Sequence, residues 1–268
     1  TITNAYINTA IKVARRVGDM MLRSSNDLGN IRVDKKAFND FVSEVDKKAE
    51  AMIIEGLLEV FPTHHILSEE SGDHGYSNSE FQWIIDPLDG TTNYLHHHPQ
   101  YAISIALLQQ GQLKQAVIFA PEKNELYVSS RGEGAFVNER RLRVSKRSFL
   151  SDCLIGTGFP VVNQEITPIY LGILQDVMQT TAGVRREGAA SLDLCQVARG
   201  RFDGYFEFNL KPWDIAAGAL IVREAGGFVT DTDGEEHWLE SGNITAGNAK
   251  ILAQLLQLIG KHLPAKNK

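Results

Sequence analysis

Apolar residues recur at helical spacing near the start of the chain, at Ile7, Ile11, Ala14, Val17 and Met21. They predict an amphipathic helix capped by Thr3. A polar, glycine-containing stretch over 24–39 breaks the pattern and reads as a mobile loop or irregular hairpin. Ser43 and Asp46 then have capping-box spacing for a second helix, which carries Ala49, Ile53, Leu57 and Val60 and stops at Pro62. From there to about Val144 the pattern is that of strands, predicted over 66–68, 81–86, 102–109, 113–119, 125–129 and 135–138. Gln110-Gly111 and Arg131-Gly132-Glu133-Gly134 mark turns. Two helices followed by an antiparallel meander imply helices layered on a sheet.

After roughly Arg143 helices and strands alternate. Strands are predicted over 153–157, 202–208, 227–231 and 243–247, and helices over 170–179, 191–198, 213–225 and from 248 to about Lys261. This half reads as α/β. No linker rich in Pro or Ser separates the halves, so residues 1–143 and 144–268 are expected as two subdomains packed rigidly around a cleft.

Composition narrows the picture modestly. The 268 residues carry a net charge of −6 with Lys and Arg scattered, which argues against a direct nucleic-acid surface. No apolar run has transmembrane length, and the first residues lack the features of a secretory signal. Cys153 and Cys195 stand far apart with no CxxC or His companion, as expected of reduced, packed thiols in a cytoplasmic protein.

The chemistry concentrates at Trp83-Ile84-Ile85-Asp86-Pro87-Leu88-Asp89-Gly90-Thr91-Thr92-Asn93. An apolar run delivers one carboxylate, a proline turns the chain, and a second carboxylate follows. Two acids this close repel unless a cation neutralises them, and hard oxygen donors without nearby Cys favour Mg²⁺. Gly90 lets the backbone approach an anion if a helix starts there. Four further acids stand out. Glu69 and Glu70 follow a short strand, Asp46 is placed in the first turn of the second helix, and Asp214 follows Pro212 at another helix start, where capping alone could explain it. His96-His97-His98 resembles a metal site, but adjacent side chains in an extended segment diverge, so packing or a surface role is expected. Arg185-Arg186 and Arg140-Arg141-Leu142-Arg143 read as solvated faces, dimer contacts or phosphate-side steering. Trp83 and Trp213 read as packing.

Taken together, these elements resemble the inositol monophosphatase family, Mg²⁺-dependent and lithium-sensitive phosphatases, in particular its bacterial branch. One family signature matches 83–93, and a second matches Trp213-Asp214-Ile215-Ala216-Ala217-Gly218 running into Glu224-Ala225-Gly226-Gly227. Ser68-Glu69-Glu70-Ser71-Gly72 and the Asp46 helix match as well, in order along nearly the whole chain. The resemblance implies an α/β (α+β) fold, a layered αβαβα sandwich of the sugar-phosphatase type.

It further implies two to three Mg²⁺ ions held by Glu69, Asp86, Asp89, the Leu88 carbonyl and Asp214. Thr91, hydrogen-bonded to Asp46, would activate the attacking water together with Glu69. Gly90 and Thr91 amides would hold phosphate, Glu207 would bond an inositol hydroxyl, and Gly188-Ala189-Ala190 would line the sugar side next to Asp214. Lys35 would fall on a loop near the metals. The family commonly has Ser or Thr where Ala189 stands, so a hydroxyl contact to substrate is expected to be lost; Ser191, two residues on, does not simply replace it.

The implied reaction is hydrolysis of inositol 1-phosphate by metal-activated water, in a cytoplasmic homodimer. Rivals are fructose 1,6-bisphosphate, a nucleotide 3′-phosphate or another sugar phosphate. Some bacterial family members also act in transcription complexes, so a transcription-factor partner is a second expectation. Asp86-Pro87-Leu88-Asp89 lacks the DxDx[TV] pattern of aspartate-dependent phosphatases, and Cys153 lacks a CxxxxxR loop, so no covalent phosphoenzyme is expected.

Overall fold

The computed structural model describes residues 1–28, 35–160 and 163–265, with the backbone alone over 35–43. Helix α1 (Ala5–Leu28) is capped by Asn4 and not by Thr3, for the Asn4 side-chain oxygen accepts from the Ile7 amide at 2.8 Å. Helix α2 (Lys35–Val60) begins well before the predicted cap. Ser43 and Asp46 therefore lie inside it, because the apolar stripe Phe38, Phe41, Val42, Val45 and Ala49 keeps helical spacing without a proline and overrides the cap signal. The predicted loop is helical over 24–28 and 35–39, and its residues 29–34 lie outside the described residues, as does the side chain of Lys35.

Next come β1 (His65–Ser68), β2 (Gly72–Gly75), β3 (Phe81–Asp89), β4 (Ala102–Gln109), β5 (Gln112–Ala120), β6 (Glu125–Ser130), β7 (Gly134–Val137) and β8 (Arg140–Arg141), with the short helix α3 (Thr91–Leu95) after β3. They form one eight-stranded sheet in the order β2-β1-β3-β4-β5-β6-β7-β8. From β3 onward it is the expected meander, but β1 pairs with β3 in parallel. Alternation along the central strands assigns their two faces. Ile103, Ile105, Leu107, Val117 and Phe119 pack with the buried stripes of α1 and α2. Ala102, Ala106, Ala116, Ile118 and Ala120 face the other way. Strands buried on both faces read as continuous apolar runs.

The second sheet holds β9 (Leu154–Thr157), β10 (Gly183–Arg185), β11 (Gly204–Glu207), β12 (Phe228–Thr230) and β13 (Ile244–Gly247), ordered β10-β9-β11-β13-β12. Helices α5 (Ala190–Ala198) and α6 (Pro212–Glu224) lie between the sheets, with α6 packed on β3 to β7 and α5 reaching β4, β11 and β13. Helices α4 (Thr167–Thr180) and α8 (Ala249–Gly260) cover the outer face of the second sheet, and α7 (Trp238–Ser241) is a single turn against α6. The layers thus run α1/α2, sheet, α5/α6, sheet, α4/α8, an αβαβα sandwich. The middle layer is thin because it is built of small residues. Gly218 of α6 has no room for a side chain, since a Cβ there would lie 2.7 Å from the Leu194 Cβ of α5.

The decoys resolve simply. His96, His97 and His98 are exposed, as are Arg140, Arg141, Arg143, Arg185 and Arg186. Trp83 is buried and its indole N–H donates to His64 Nδ1 at 3.0 Å, while Trp213 packs against the middle layer. Both cysteines are free and buried. Among the described residues no helix is long and apolar enough to cross a membrane.

Candidate active site

The site sits where β1 and β3 end side by side, facing the start of α6. In a regular strand residues three apart point to opposite faces, so Asp86 and Asp89 would diverge. They do not, because a bulge intervenes. Asp86 stands opposite Ser104 and Asp89 opposite Ala102, leaving Pro87 and Leu88 against a single residue of β4. Proline cannot donate to the ladder, which is why the irregularity falls there, and the extra residue returns both carboxylates to one side. The Leu88 amide folds back onto Asp86 Oδ1 at 3.1 Å.

The parallel register brings in the next acid. Ser68 pairs with Ile85, so Glu69 leaves β1 beside Asp86, with which it shares a hydrogen bond while standing exposed at the rim. Asp214 arrives from the opposite layer at the third position of α6, where its Oδ2 accepts from the Lys211 amide at 2.9 Å. The capping role read from the sequence is thus real, and it coexists with a second one. Carboxylate oxygens of Asp86, Asp89 and Asp214 lie within 4.8 Å of one another.

Such crowding distorts titration. Burial, then Asp89 and Glu69, push the Asp86 carboxyl well above the usual carboxylate range. Burial and then Asp214 push Asp89 up to about 8, against the pull of its bonds to Ser191. Asp214 and Glu69 are raised by desolvation as well, partly offset by their hydrogen bonds. Four acids in this arrangement do not ionise together at neutral pH unless a cation joins them. Oxygen-only donors suit a hard divalent ion such as Mg²⁺, so the residues present fit the implied metal.

Asp89 is held from across the molecule. Its Oδ2 accepts the Ser191 amide at 2.9 Å and the Ser191 hydroxyl, both from the first turn of α5. The Ser191 hydroxyl is thus committed to a metal-ligand candidate and does not stand in for the hydroxyl missing at Ala189. Gly90 takes φ +90°, and a Cβ there would lie 2.7 Å from the Gln100 carbonyl, so only glycine fits before α3. The Thr91 hydroxyl donates to the Leu88 carbonyl at 3.2 Å. Among the described residues it does not bond Asp46, which stands mid-helix in α2 with its carboxyl raised to about 7 by burial, Glu70, Glu69 and Glu50.

On the far wall Glu207 ends β11. Its Oε2 accepts from the Tyr205 hydroxyl at 2.6 Å, and burial with the Asp214 charge raises it to about 7. Gly158 makes that position available, because a Cβ on it would lie 1.2 Å from Glu207 Oε1. Gly188, at φ +89°, sits against Asn93, whose amide ties the 187–190 segment to the first half through Glu187 O at 2.9 Å and Gln100 O at 2.7 Å. Sequence reading missed Ser191, Gly158, Tyr205 and Asn93 as parts of the site. Asn93 ends the first signature and could have been read there; the others carry no local signal.

Carboxylates from β1, β3 and α6 converging on one point, beside a helix start that can take an anion, define a metal-dependent phosphoester hydrolase in a two-sheet sandwich. The profile of the inositol monophosphatase family matches residues 3–263, and the chain belongs to that family. It is 62 % identical over 260 residues to a putative Nus factor SuhB of Neisseria meningitidis serogroup B, covering 97 % of this chain and all of the relative. It is 45 % identical over 263 residues to an inositol-1-monophosphatase of Rhizobium meliloti, covering 98 % and 99 %. A solved structure of the extragenic suppressor protein suhB from Bartonella henselae superposes with a TM-score of 0.87 at 42 % identity, covering 96 % of this chain and all of that one.

Proposed function

We propose that this protein hydrolyses inositol 1-phosphate to inositol and inorganic phosphate by direct attack of water, with Mg²⁺ held by Glu69, Asp86, Asp89, Asp214 and the Leu88 carbonyl. The observation that carries the reading is the meeting of three buried or half-buried carboxylates within 4.8 Å. When bound, two to three Mg²⁺ ions would neutralise phosphate charge, lower the pKa of the attacking water and stabilise the leaving alkoxide. The Leu88 carbonyl has two lone pairs, so it can serve an ion while accepting from Thr91.

The chain's own groups supply alignment. With its proton directed at Leu88, Thr91 Oγ1 presents a lone pair to the water and fixes its orientation. Asp46, whose carboxyl is raised by burial and by Glu70, Glu69 and Glu50, is the group assigned to take the proton of the attacking water by way of the Thr91 hydroxyl. The first amides of α3, at Gly90 and Thr91, have no intrahelical acceptor and can hold phosphate oxygens. Glu207 keeps Oε1 for a polyol hydroxyl while Tyr205 holds Oε2. Gly188, Ala189 and Ala190 complete the sugar side. In this reading residues 1–143 carry most of the metal site and 144–268 carry Asp214 and the substrate wall.

Lithium inhibits such a site by competing for Mg²⁺ positions. The protein works in the cytoplasm as a homodimer; the exposed apolar side chains Phe159 and Met178, which line a groove with Gly183 and Val184 of the free edge strand β10, favour the dimer. Phosphate release from a panel holding inositol 1-phosphate, fructose 1,6-bisphosphate and a nucleoside 3′-phosphate tests the substrate. The fastest Mg²⁺-dependent turnover should fall on inositol 1-phosphate, and a preference for either of the others replaces it.

The names of the SuhB relatives favour a second role beside the first, contact with a transcription complex. Exposed Arg185 and Arg186 are the surface for it; Arg186 lies over the Phe159 ring, so this contact shares the β10 edge with the homodimer and competes with it. Capture of transcription proteins from a bacterial lysate should persist in Asp89→Asn and fail in a double Arg185→Glu, Arg186→Glu variant. Capture by neither wild type nor Asp89→Asn removes this reading.

A further inference from the structure

Glu50 belongs to no element of the signatures, yet it is a carboxylate only 5 % exposed on the long helix α2. It lies four residues after Asp46, on the same face of that helix. Its bonds all go to one place. Oε2 accepts from the Ser68 hydroxyl and from the Glu70 amide, the latter at 3.0 Å, and Oε1 accepts from the Ser71 hydroxyl. Ser71 in turn meets His74 Nε2, so a ring protonated at that nitrogen donates to Ser71, which donates to Glu50. The β1–β2 turn is therefore clamped at the residue before Glu69 and at the two residues after it. Among the described residues Glu69 itself, exposed at the rim, has no such anchor apart from its bond to Asp86.

A turn rich in glycine and serine at a sheet edge has little packing to fix it, since β2 is an edge strand with alternate residues exposed. Burying a carboxylate beside Asp46, Glu69 and Glu70 is unfavourable, and an amide oxygen would keep the Ser68 and Glu70 bonds without adding that charge. We propose that Glu50 is a positioning residue for the metal site: it holds the 68–71 turn so that Glu69 reaches the ion bound by Asp86, and its charge adds to the field that draws the cation in. The inference rests on the metal-site assignment above, and its test reads metal binding directly and not hydrolysis.

Glu50→Ala, Glu50→Gln and Ser71→Ala are titrated with Mg²⁺ by calorimetry without substrate, and each is melted after chelation. Partners of metal ligands typically contribute 10–100-fold in affinity. Glu50→Ala should therefore bind Mg²⁺ at least about 10-fold more weakly than wild type. Glu50→Gln keeps the shape and most of the hydrogen bonds; it should restore the melting temperature but only part of the affinity. Ser71→Ala, at an exposed position, should fold normally and lose affinity by a smaller factor, so the test survives if Glu50→Ala does not fold. Wild-type affinity in Ser71→Ala and Glu50→Gln overturns the proposal, as does a loss in Glu50→Ala that Glu50→Gln fully restores. Absence of phosphatase activity in the wild type with the affinity losses intact would sink the proposed reaction and leave Glu50 as a metal-positioning residue.

Discussion

Replacing Gly158 by alanine asks whether Glu207 reads the alcohol of the substrate. Gly158 has an ordinary backbone conformation, so alanine is accommodated by the chain itself. The new Cβ, however, would lie 1.2 Å from Glu207 Oε1 and 2.2 Å from its Cδ, so the carboxylate must leave its place. It can do so by turning about its side-chain bonds, at the cost of the 2.6 Å bond from Tyr205. A hydrogen bond to a charged group contributes about 1.5–3 kcal/mol, which is about 10–150-fold in rate at about 1.4 kcal/mol per decade. The expected result is a fall of that size in kcat/KM for inositol 1-phosphate. Turnover of p-nitrophenyl phosphate, which offers no polyol hydroxyl, should change little, and Mg²⁺ affinity should stay at the wild-type value. Steady-state kinetics on both substrates read the ratio. An equal loss on both, or no loss on inositol 1-phosphate, would refute the assignment of Glu207.

Asp89→Asn should abolish turnover and weaken Mg²⁺ binding while the chelated protein melts no lower than wild type, because the amide oxygen still accepts from Ser191 and one acid is removed from the crowded cluster; normal Mg²⁺-dependent activity in this variant would remove Asp89 from the site. The chelated wild type should melt lower at about pH 8 than at about pH 5, since a carboxyl raised in the folded state holds its proton where the unfolded chain has lost it, and that stability disappears as pH climbs through the folded values near 7 and 8 of Asp46 and Asp89. Mg²⁺ should raise the melt more at the higher pH, and a Mg²⁺ effect independent of pH contradicts the crowded-acid account. Thr91→Ala should lower kcat by about 10²–10⁴-fold with KM little changed; a lowered melting temperature at normal turnover would show that its bond to Leu88 only braces the turn.

The sequence disclosed the layers because strands buried on both faces leave long apolar runs, and helix stripes leave their own period. It disclosed the acids because Asp86, Asp89 and Asp214 stand in motifs. What it hid is non-local. The parallel pairing of β1 with β3 sets Glu69 beside Asp86, yet nothing in residues 65–89 announces that register. Ser191 meets Asp89 across 102 positions, and Gly158 matters only because Glu207 comes to lie over it. The start of α2 departs from the local signal for the opposite reason: Ser43 and Asp46 carry a valid cap pattern that a longer apolar stripe outweighs.

Metal-dependent hydrolysis at the three-aspartate cluster is read from phosphate release from inositol 1-phosphate by the wild type and Asp89→Asn side by side, each with millimolar Mg²⁺ and with chelator. Release is expected from the wild type with Mg²⁺ alone, none after chelation, and none from the variant under either condition. Release that survives chelation, or that Asp89→Asn performs as fast as the wild type, would contradict metal-dependent hydrolysis at this cluster.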